Sequence, residues 1–381
     1  MQPTRRRVLA GVAGVGTVGL AGCVGSLETL FRDTDAREEA EAVENPHRER
    51  TIGEVPPDTA LPLRDREVPL AYDLSEFEEE ADWGGVGKDG IPSIDDPQFG
   101  TVEEGDTMMA PDDPVFGVAL NGDTRAYPQH ILVHHEIVND GFGDTGVAVT
   151  YCPLTGTAIG FERGSVEFGV SGMLTNSNLL MYDRETDSWW PQVLGTGILG
   201  ERNGLALHEI RVTWTSWERW KTVHPETIVL TEDTGHARNY NNDPYGGYNP
   251  TSGYYDDDNL RFGVMTEDDR YHPKSVFIGA RTADGAVAFG KERLREEALL
   301  ETTVANVPYV AAYHPGLDSA WVYRNPENRS VSTDESSTDD GRYVVDGTSY
   351  DADSLPLTSV NAFDAMWFAW AAFYPDTVVV A

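Results

Sequence analysis

The stretch Ala148-Val-Thr-Tyr-Cys-Pro-Leu-Thr-Gly-Thr-Ala-Ile-Gly-Phe-Glu-Arg163 contains the pattern that decides the fold. A run rich in β-branched and aromatic residues enters a turn at Pro153 to Gly156, and a second short run follows the turn. This pattern predicts two strands on either side of a tight connection. Cys152 lies where the first strand meets the turn, so a thiol is expected at the centre of this feature.

The same pattern recurs in weaker form near the C-terminus, from Val310 to Arg324. At one constant offset the two copies align these pairs: Tyr151 with Tyr313, Pro153 with Pro315, Thr157 with Ser319, Ala158 with Ala320, Phe161 with Tyr323 and Cys152 with His314. A tryptophan motif at 217–230 likewise repeats at 367–380. Two copies of one unit indicate a duplicated module rather than a repeat array.

These signals predict an α+β, strand-rich fold of two tandem homologous β-rich modules with short helices, packed as one globular unit. We divide the chain into a signal over 1–22, a flexible acidic tether over 23–65, a first module over 66–231, a long inter-module loop over 232–275 and a second, degenerate module over 276–381. The second copy lacks the polar strands expected at 166–192, which are joined at Asn176 to Asn178 in the first copy. Chemistry is therefore expected in the first module.

The N-terminus has the features of an export signal. Thr4-Arg-Arg-Arg-Val-Leu9 precedes a short apolar run that ends in Leu20-Ala-Gly-Cys23. Paired arginines followed by a short apolar region are typical of a twin-arginine signal, and Leu-Ala-Gly-Cys is similar to a bacterial-type lipobox. We expect cleavage before Cys23, lipid attachment to its thiol, and a protein exported and tethered to the outer face of the cytoplasmic membrane.

The composition indicates a high-salt environment. The chain has 28 Lys+Arg against 64 Asp+Glu, a formal net charge of -36, and 40% hydrophobic residues. Carboxylates stay hydrated while salt screens their mutual repulsion, so this balance favours a halophilic archaeon as the source. It argues against a nucleic-acid partner, because affinity for nucleic acid comes from cationic contacts with phosphates. If Cys23 carries lipid, Cys152 is the only thiol of the mature chain and has no disulfide partner.

Several motifs carry a family resemblance. They are Gly90-Ile-Pro-Ser-Ile-Asp-Asp-Pro97, Arg125-Ala-Tyr-Pro128, His135-Glu-Ile-Val-Asn-Asp140, Tyr151-Cys-Pro-Leu-Thr-Gly156, Phe168-Gly-Val-Ser-Gly172 and Met181-Tyr-Asp-Arg-Glu-Thr186. In this order the motifs resemble the family known as domain of unknown function 3179, over about residues 85 to 381. Many members have Cys-x-x-Cys where this chain has Cys152-Pro-Leu-Thr155, and some are flagged as selenoproteins. The resemblance implies redox or metal chemistry at this turn.

The first functional hypothesis, and the one we favour from the sequence, is a thiol oxidoreductase. Cys152 is the expected nucleophile, because a thiolate reacts where a thiol does not. The Thr155 hydroxyl and nearby backbone N–H groups are expected to lower the thiol pKa. His135, on a helix expected from Pro128 to about Val138, is the expected base. No cofactor is required, and an external thiol or electron partner is expected because no second cysteine is available.

The second hypothesis is copper or zinc binding. A thiolate and imidazoles suit these metals, and the candidate ligands are Cys152 and His135, with His130 and His134 at i, i+4 spacing. The segment His135-Glu-Ile-Val-Asn139 lacks the second histidine of the His-Glu-x-x-His zinc motif.

The third hypothesis is non-catalytic binding of a polar small ligand in a cleft between the modules. The candidate ligand-binding residues are the polar and aromatic ones at 176–192: Asn176, Asn178, Tyr182, Asp183, Arg184, Trp190 and Gln192.

Overall fold

The structure is a computed structural model that describes residues 61–62, 68–334 and 341–381. The expected signal at 1–22, the lipid site at Cys23 and the tether as far as residue 60 lie outside the described residues. Among the helices of the described part, none combines the length and the apolar character needed to cross a membrane.

The chain has a mostly-β α+β fold with few, short helices. The helices are α1 (Leu74–Glu79), α2 (Val102–Met108), α3 (Gln129–Leu132), α4 (Trp217–Val223), α5 (Lys291–Glu297) and α6 (Trp367–Phe373). A single 3₁₀ turn at Tyr254–Asp256 is also present among the described residues.

Strands alternate with these helices along the whole described chain. Those of the N-terminal half are β1 (Asp82–Trp83), β2 (Phe99–Gly100), β3 (Pro114–Leu120), β4 (Asp123–Pro128), β5 (Ile137–Phe142), β6 (Thr145–Cys152), β7 (Thr157–Glu162), β8 (Phe168–Thr175), β9 (Asn178–Asp183), β10 (Trp189–Pro191), β11 (Glu209–Ile210), β12 (Thr213–Ser216) and β13 (Ile228–Leu230). Those that follow are β14 (Gly246–Tyr248), β15 (Thr251–Gly253), β16 (Val276–Thr282), β17 (Gly285–Gly290), β18 (Leu299–Val304), β19 (Val307–His314), β20 (Ser319–Arg324), β21 (Val331–Thr333), β22 (Arg342–Val345), β23 (Thr348–Asp351), β24 (Thr358–Val360), β25 (Ala362–Met366) and β26 (Val378–Val380).

The order of strands in the N-terminal half recurs in the C-terminal half. The sheets β11-β7-β6-β5 and β12-β3-β4-β13-β2 have the counterparts β24-β20-β19-β18 and β25-β16-β17-β26. Each half contains one parallel strand pair in these sheets, β13 with β4 in the N-terminal half and β26 with β17 in the C-terminal half. The other strand pairs in these sheets are antiparallel. The sheet β1-β8-β9-β10 is found in the N-terminal half and the sheet β21-β22-β23 in the C-terminal half.

In each half, a strand glycine packs directly against the ring of a tryptophan. A Cβ on Gly117 of β3 would lie 2.2 Å from the Trp220 ring, and one on Gly279 of β16 would lie 2.2 Å from the Trp370 ring. Each ring belongs to the helix that follows the edge strand, so only glycine lets the helix pack directly on the strand. Each indole N–H also donates to a threonine hydroxyl, Trp220 to Thr227 at 2.9 Å and Trp370 to Thr377 at 3.0 Å.

The C-terminal helix α6 lies inside the molecule. All seven of its residues are buried, as expected for a helix that is apolar on every side. Its residues share one hydrophobic core with Cys152, Leu179 and Trp190 of the N-terminal half. The halves are therefore joined through a common core, together with polar contacts such as the buried ion pair of Arg281 with Glu209 at 2.6 Å.

The helix expected from Pro128 to Val138 is much shorter than predicted. It ends at Leu132, and Glu136 has a φ of 58° in the left-handed region. Ile137 then begins β5 and pairs with Thr150 of β6. The pairing of β5 with β6 thus outweighs the local helical pattern, and His134 and His135 lie in the turn between α3 and β5.

The contact between glycine and tryptophan in each half predicts that one added methyl group will markedly lower the free energy of unfolding. Gly117→Ala and Gly279→Ala should each lower the free energy of unfolding by about 1–3 kcal/mol, because the indole ring has no space to yield. Gly87→Ala is the matched control, since a Cβ there meets no atom within 4 Å. Denaturant unfolding in high salt measures the change, and equal stability of all three variants would contradict the packing described here.

Candidate functional site

Cys152 lies at the end of β6, directly opposite Thr157 of β7. Its side chain is 1% exposed. The sulfur accepts a hydrogen bond from the Leu179 N–H at 3.3 Å and lies 3.9 Å from the Ser177 carbonyl oxygen. The predicted strand and turn around this thiol are present, but the thiol faces the shared core rather than solvent.

The turn after Cys152 is fixed against the C-terminal half. The Thr155 carbonyl oxygen accepts a hydrogen bond from the Met366 N–H at 3.0 Å. Gly156 has a φ of 57°, and a Cβ there would meet the Met366 side chain at 3.0 Å. The chain therefore needs glycine at this position both for the backbone conformation and for the close approach.

Burial keeps the Cys152 thiol protonated. It raises the pKa of the thiol to about 11, and the nearby Glu136 carboxyl adds to the rise. Hydrogen bonds from Thr155 and from the Leu179 N–H act in the opposite direction, as expected from the sequence, but they do not outweigh burial. The resting thiol is thus not the activated thiolate that the oxidoreductase hypothesis assumed.

Thr155 belongs to a buried polar network beside the thiol. The Asn178 amide donates to the Thr155 hydroxyl oxygen at 2.9 Å and to the Gln192 side-chain oxygen at 2.9 Å. The Gln192 amide donates in turn to the Thr150 hydroxyl at 2.9 Å, and the Thr157 hydroxyl donates to Gln192 at 2.6 Å. These groups satisfy one another, so Asn178 and Gln192 hold strands β6, β7 and β9 together.

His135 is fully buried and both of its ring nitrogens are engaged. Nδ1 lies 2.7 Å from the Pro92 carbonyl oxygen and Nε2 lies 2.7 Å from the Tyr240 hydroxyl. Burial lowers the pKa of His135 to about 4, so the ring is neutral at physiological pH. Among the described residues no hydrogen bond joins it to Cys152, and the structure does not bring the expected base to the thiol.

The other two histidines of the metal hypothesis lie beside the 232–243 segment. His130 Nε2 is 3.4 Å from a Glu232 carboxylate oxygen, and the His134 ring packs edge-on against Tyr240 at a centroid distance of 5.6 Å. Burial lowers the pKa of both imidazoles. The described part of the chain contains no group of three or more His, Cys, Asp or Glu side chains placed to hold a metal ion. The copper or zinc hypothesis gains no support from this arrangement.

Glu136 is a site residue that the sequence did not reveal. It is 7% exposed, and no hydrogen bond to its carboxyl group is present among the described residues. Burial raises the pKa of this carboxyl to about 8. Its charge acts on Cys152 and on Tyr245. The sequence offers a glutamate after a histidine but no sign that its side chain is buried, because the left-handed turn that directs it inward depends on the pairing of β5 with β6.

Tyrosines of the 232–275 segment cover this region. The Tyr254 hydroxyl donates to the Leu154 carbonyl oxygen at 2.8 Å, so it closes over the turn after Cys152. The Arg261 guanidinium lies 4.7 Å from the centre of the Tyr245 ring and 5.1 Å from that of Tyr254. The long loop expected between the modules therefore packs over the thiol and Glu136, where Tyr245, Tyr254 and Arg261 form what we call the tyrosine cover.

The residues expected to bind a polar ligand do not form one site. Asn178 and Gln192 belong to the buried network, and the Asn176 side chain accepts from the Met265 N–H at 2.7 Å. The Tyr182 hydroxyl donates to Asp89 at 2.6 Å, and Arg184 pairs with Asp95 at 2.7 Å. These side chains serve three separate parts of the fold.

Asp183 and Trp190 are the two remaining residues that were expected to bind a ligand. They lie in a fourth part of the fold. Asp183 is fully buried, accepts from the Trp190 indole at 3.0 Å and pairs with Arg202 at 2.7 Å. Removing one partner of such a buried pair is strongly destabilising, because the other charge is left without compensation. Asp183 and Trp190 therefore contribute to the stability of the fold through these buried contacts.

A large cleft lies between the two halves. Its volume is about 810 Å³, within the usual range for small-molecule sites. Its lining includes five aromatic residues, and these are Trp214, Tyr248, Tyr255, Tyr271 and Phe277. None of the seven residues expected to bind a ligand lines it, although Gly156 of the Cys152 turn does. An inter-module cleft was expected, but most of the residues that line it come from β12, β16, α5 and the 232–275 segment.

The cationic side chains at the cleft differ in their partners. Lys291 is paired with Asp364 at 2.5 Å and Arg295 with Asp318 at 2.7 Å. Lys274, 7% exposed, donates instead to the carbonyl oxygens of Tyr254 and Asn259. Among the described residues no carboxylate forms an ion pair with Lys274.

The family model described as a protein of unknown function, DUF3179, matches residues 88–377. The chain belongs to the DUF3179 family. The DUF3179 match includes strands β2 to β25, the Cys152 turn and the residues that line the cleft apart from Ala381, and its description names no reaction. No curated protein and no solved structure matches the chain.

Glu136 predicts an unusual pH dependence of stability. Its pKa is raised from 4.5 to about 8 on folding, so the folded state holds a proton that the unfolded state has lost between these values. The contribution of Glu136 to stability therefore falls as pH rises from about 4.5 to about 8, by at most about 1.4 kcal/mol per pH unit. Glu136→Gln should be more stable than the wild type at pH 8, and the gain should shrink towards pH 5.

Unfolding by denaturant at pH 5, 6, 7 and 8 measures this difference. Glu226→Gln is the control, because Glu226 is exposed and its substitution should leave the pH dependence unchanged. A gain for Glu136→Gln that is equal at pH 5 and pH 8 would show that the carboxyl is already ionised in the folded chain across this range.

Proposed function

We propose that the chain binds a small polar ligand in the cleft between its halves, and that this ligand carries an anionic group. The observation that carries the proposal is Lys274, a buried ammonium group at the cleft whose partners are backbone carbonyls alone. In a chain with 64 acidic residues, a buried cation without a carboxylate partner among the described residues leaves room for a negative group from outside.

The environment of Lys274 explains why an anion is favoured there. Its Nζ lies 3.6 Å from the centre of the Tyr254 ring, and burial lowers its pKa, a shift that the charges of Asp256, Asp257 and Asp258 offset only in part. A buried charge is costly unless a counter-charge is near, since its hydration is lost. An anionic ligand group supplies that counter-charge, and it gains in turn from the low dielectric of the cleft.

The other cationic side chains that line the cleft are already paired with carboxylates, so they do not provide a second site for an anion. Lys291 and Arg295 already have carboxylate partners, and Arg293 pairs with Glu297 at 2.9 Å. An anion competing for these groups would have to displace an existing partner. We therefore expect the anionic group of the ligand to bind next to Lys274.

Aromatic rings supply the apolar part of the site. The rings of Tyr248 and Tyr255 stack at a centroid distance of 3.9 Å, and Trp214 packs edge-on against Tyr248 at 5.3 Å. Such surfaces, combined with a few polar groups, are typical of small-molecule sites. They favour a ligand with an apolar or planar portion next to its anionic group.

The sequence supports further proposals about the setting of this function. We propose that the chain is exported by a twin-arginine signal, anchored through lipid at Cys23 to the outer face of the cytoplasmic membrane, and derived from a halophilic archaeon. We also propose that the halves are homologous modules, on the strength of the aligned residues and of the strand order that recurs in both. Nucleic acid is not proposed as a partner of so acidic a chain.

The role of Lys274 can be tested with a matched pair of variants. Lys274→Met removes the cation at the cleft, while Lys221→Met removes one that pairs with Asp106 and Glu218 outside it. Thermal unfolding would be followed in high salt with succinate, benzoate and inorganic phosphate as anionic probes. We expect at least one probe to raise the midpoint by about 2 °C or more in the wild type and in Lys221→Met, but not in Lys274→Met.

Circular dichroism and tryptophan fluorescence confirm that both variants are folded. A shift of equal size in Lys274→Met, or no shift with any probe in the wild type, would contradict an anionic site at Lys274.

A further inference from the structure

The contacts of Lys274 and the rings around it narrow the chemistry of the ligand further. We propose that the cleft binds an aryl monocarboxylate, an aromatic ring system that carries one carboxylate. This inference rests on the proposed binding of an anion at Lys274, and it adds the charge of the ligand, the type of its acidic group and the nature of its apolar part.

The hydrogen bonds of Lys274 leave one of its N–H groups for a ligand. An ammonium group has three N–H donors and no acceptor. Two of these donors are directed to backbone carbonyl oxygens, that of Tyr254 and, at 3.2 Å, that of Asn259. A single donor can bind a carboxylate through one oxygen, whereas phosphate groups are held where several N–H groups converge, as at a helix N-terminus or an arginine fork. The number of free donors therefore favours a carboxylate.

The loop that holds Lys274 also carries negative charge. The three aspartates at 256–258 lie between the two residues whose carbonyls accept from the ammonium group, and all three are exposed. Arg261 lies over the Tyr254 ring at 5.1 Å, but it is exposed and is not among the residues that line the cleft. A monoanion balances the charge of Lys274, while a second negative charge would be repelled by the aspartates. The expected ligand therefore has one negative charge.

On one side of Lys274 the cleft is lined by Tyr271 and Phe277, each three residues away in the chain. Their ring centres lie 5.1 Å apart, and the two rings contact Trp367 of α6 at 5.1 Å and 4.8 Å. Because every residue of α6 is buried, these rings are held in place before a ligand binds. Groups that are already ordered lose little entropy on binding.

On the other side the cleft is lined by Tyr248 and Tyr255, whose rings stack at a centroid distance of 3.9 Å. Tyr255 directly follows Tyr254, whose carbonyl holds Lys274. The Tyr255 hydroxyl donates to Asp243 at 3.0 Å, which fixes the orientation of the ring. Aromatic pairs that pack edge-on or offset gain free energy beyond that of the buried area. An aryl group next to the carboxylate is therefore favoured over an alicyclic group of the same size.

Isothermal titration calorimetry on the full chain in high salt at about pH 7.5 tests the inference with three matched probes. The first, 2-naphthoate, has the proposed chemistry. Decahydro-2-naphthoate keeps the carboxylate without the aromatic rings, and 2-naphthyl phosphate keeps the rings but is mostly a dianion at this pH. The affinity for 2-naphthoate should exceed that for the alicyclic acid by about twofold to tenfold. It should exceed that for the phosphate by at least about tenfold.

Two pairs of variants assign these preferences to residues. Lys274→Met should lower the affinity for 2-naphthoate at least about tenfold, because the carboxylate loses a charged hydrogen bond. Lys221→Met is its control, since Lys221 pairs with carboxylates outside the cleft. Tyr248→Leu should at least halve the ratio of the affinities for 2-naphthoate and decahydro-2-naphthoate. Tyr350→Leu should keep the wild-type ratio, since Tyr350 does not line the cleft.

The outcomes distinguish the ligand class from the anion site itself. If 2-naphthyl phosphate binds as tightly as 2-naphthoate and both are lost in Lys274→Met, the monocarboxylate is overturned while the anion site stands. Equal affinities of the wild type for the two carboxylates would overturn the aryl group. No binding of any probe, or equal affinity of the wild type and Lys274→Met for 2-naphthoate, would overturn the proposed anion site and this inference with it. The three probes on the wild type decide the ligand class even if a variant fails to fold.

Discussion

The burial of helix α6 is the constraint on which the rest of the structure depends. Its seven residues are enclosed by both halves, with Trp367 and Trp370 among the fully buried side chains. Separating the halves would expose this apolar surface, and burying a large side chain is worth about 1.5–3 kcal/mol. The relative position of the halves, and therefore the shape of the cleft between them, follows from this helix.

The turn after Cys152 is fixed by the residue that precedes helix α6. The Met366 N–H, at the residue before α6, donates to the Thr155 carbonyl oxygen, and the Met366 side chain packs on Gly156. The C-terminal half thus braces the turn on one side, and the network of Asn178 and Gln192 braces it on the other. This arrangement explains why a motif that reads as a reactive site in the sequence is buried in the folded chain.

The sequence predicted the local features that depend on short-range patterns. The two strands on either side of the Cys152 turn and the strands joined at Asn176 to Asn178 are present, with registers that pair Cys152 with Thr157 and Thr175 with Asn178. The tryptophan motif found twice in the sequence forms a short helix in each half, and its tryptophans are buried. These features depend on residues close in the chain, so a pattern in the sequence is enough to find them.

What the sequence did not predict depends on distant pairing. Asn178 and Gln192 are polar residues of the kind found at binding sites, yet they satisfy each other inside the fold. Glu136 and Lys274 were missed because their burial results from the pairing of β5 with β6 and from the packing of the 254–259 segment. Neither the strand pairing nor the loop packing produces a recognisable pattern in the sequence. The burial of Glu136 and Lys274 is therefore seen only in the structure.

Hydrogen–deuterium exchange tests most directly whether the cleft binds a small polar ligand. The full chain would be measured in high salt with and without the small-molecule extract of the cells that produce it. With ligand bound, we expect slower exchange at 248–255 and 271–277, the segments that contribute Tyr248, Tyr255 and Lys274 to the cleft. Equal exchange of these segments in both samples would contradict it.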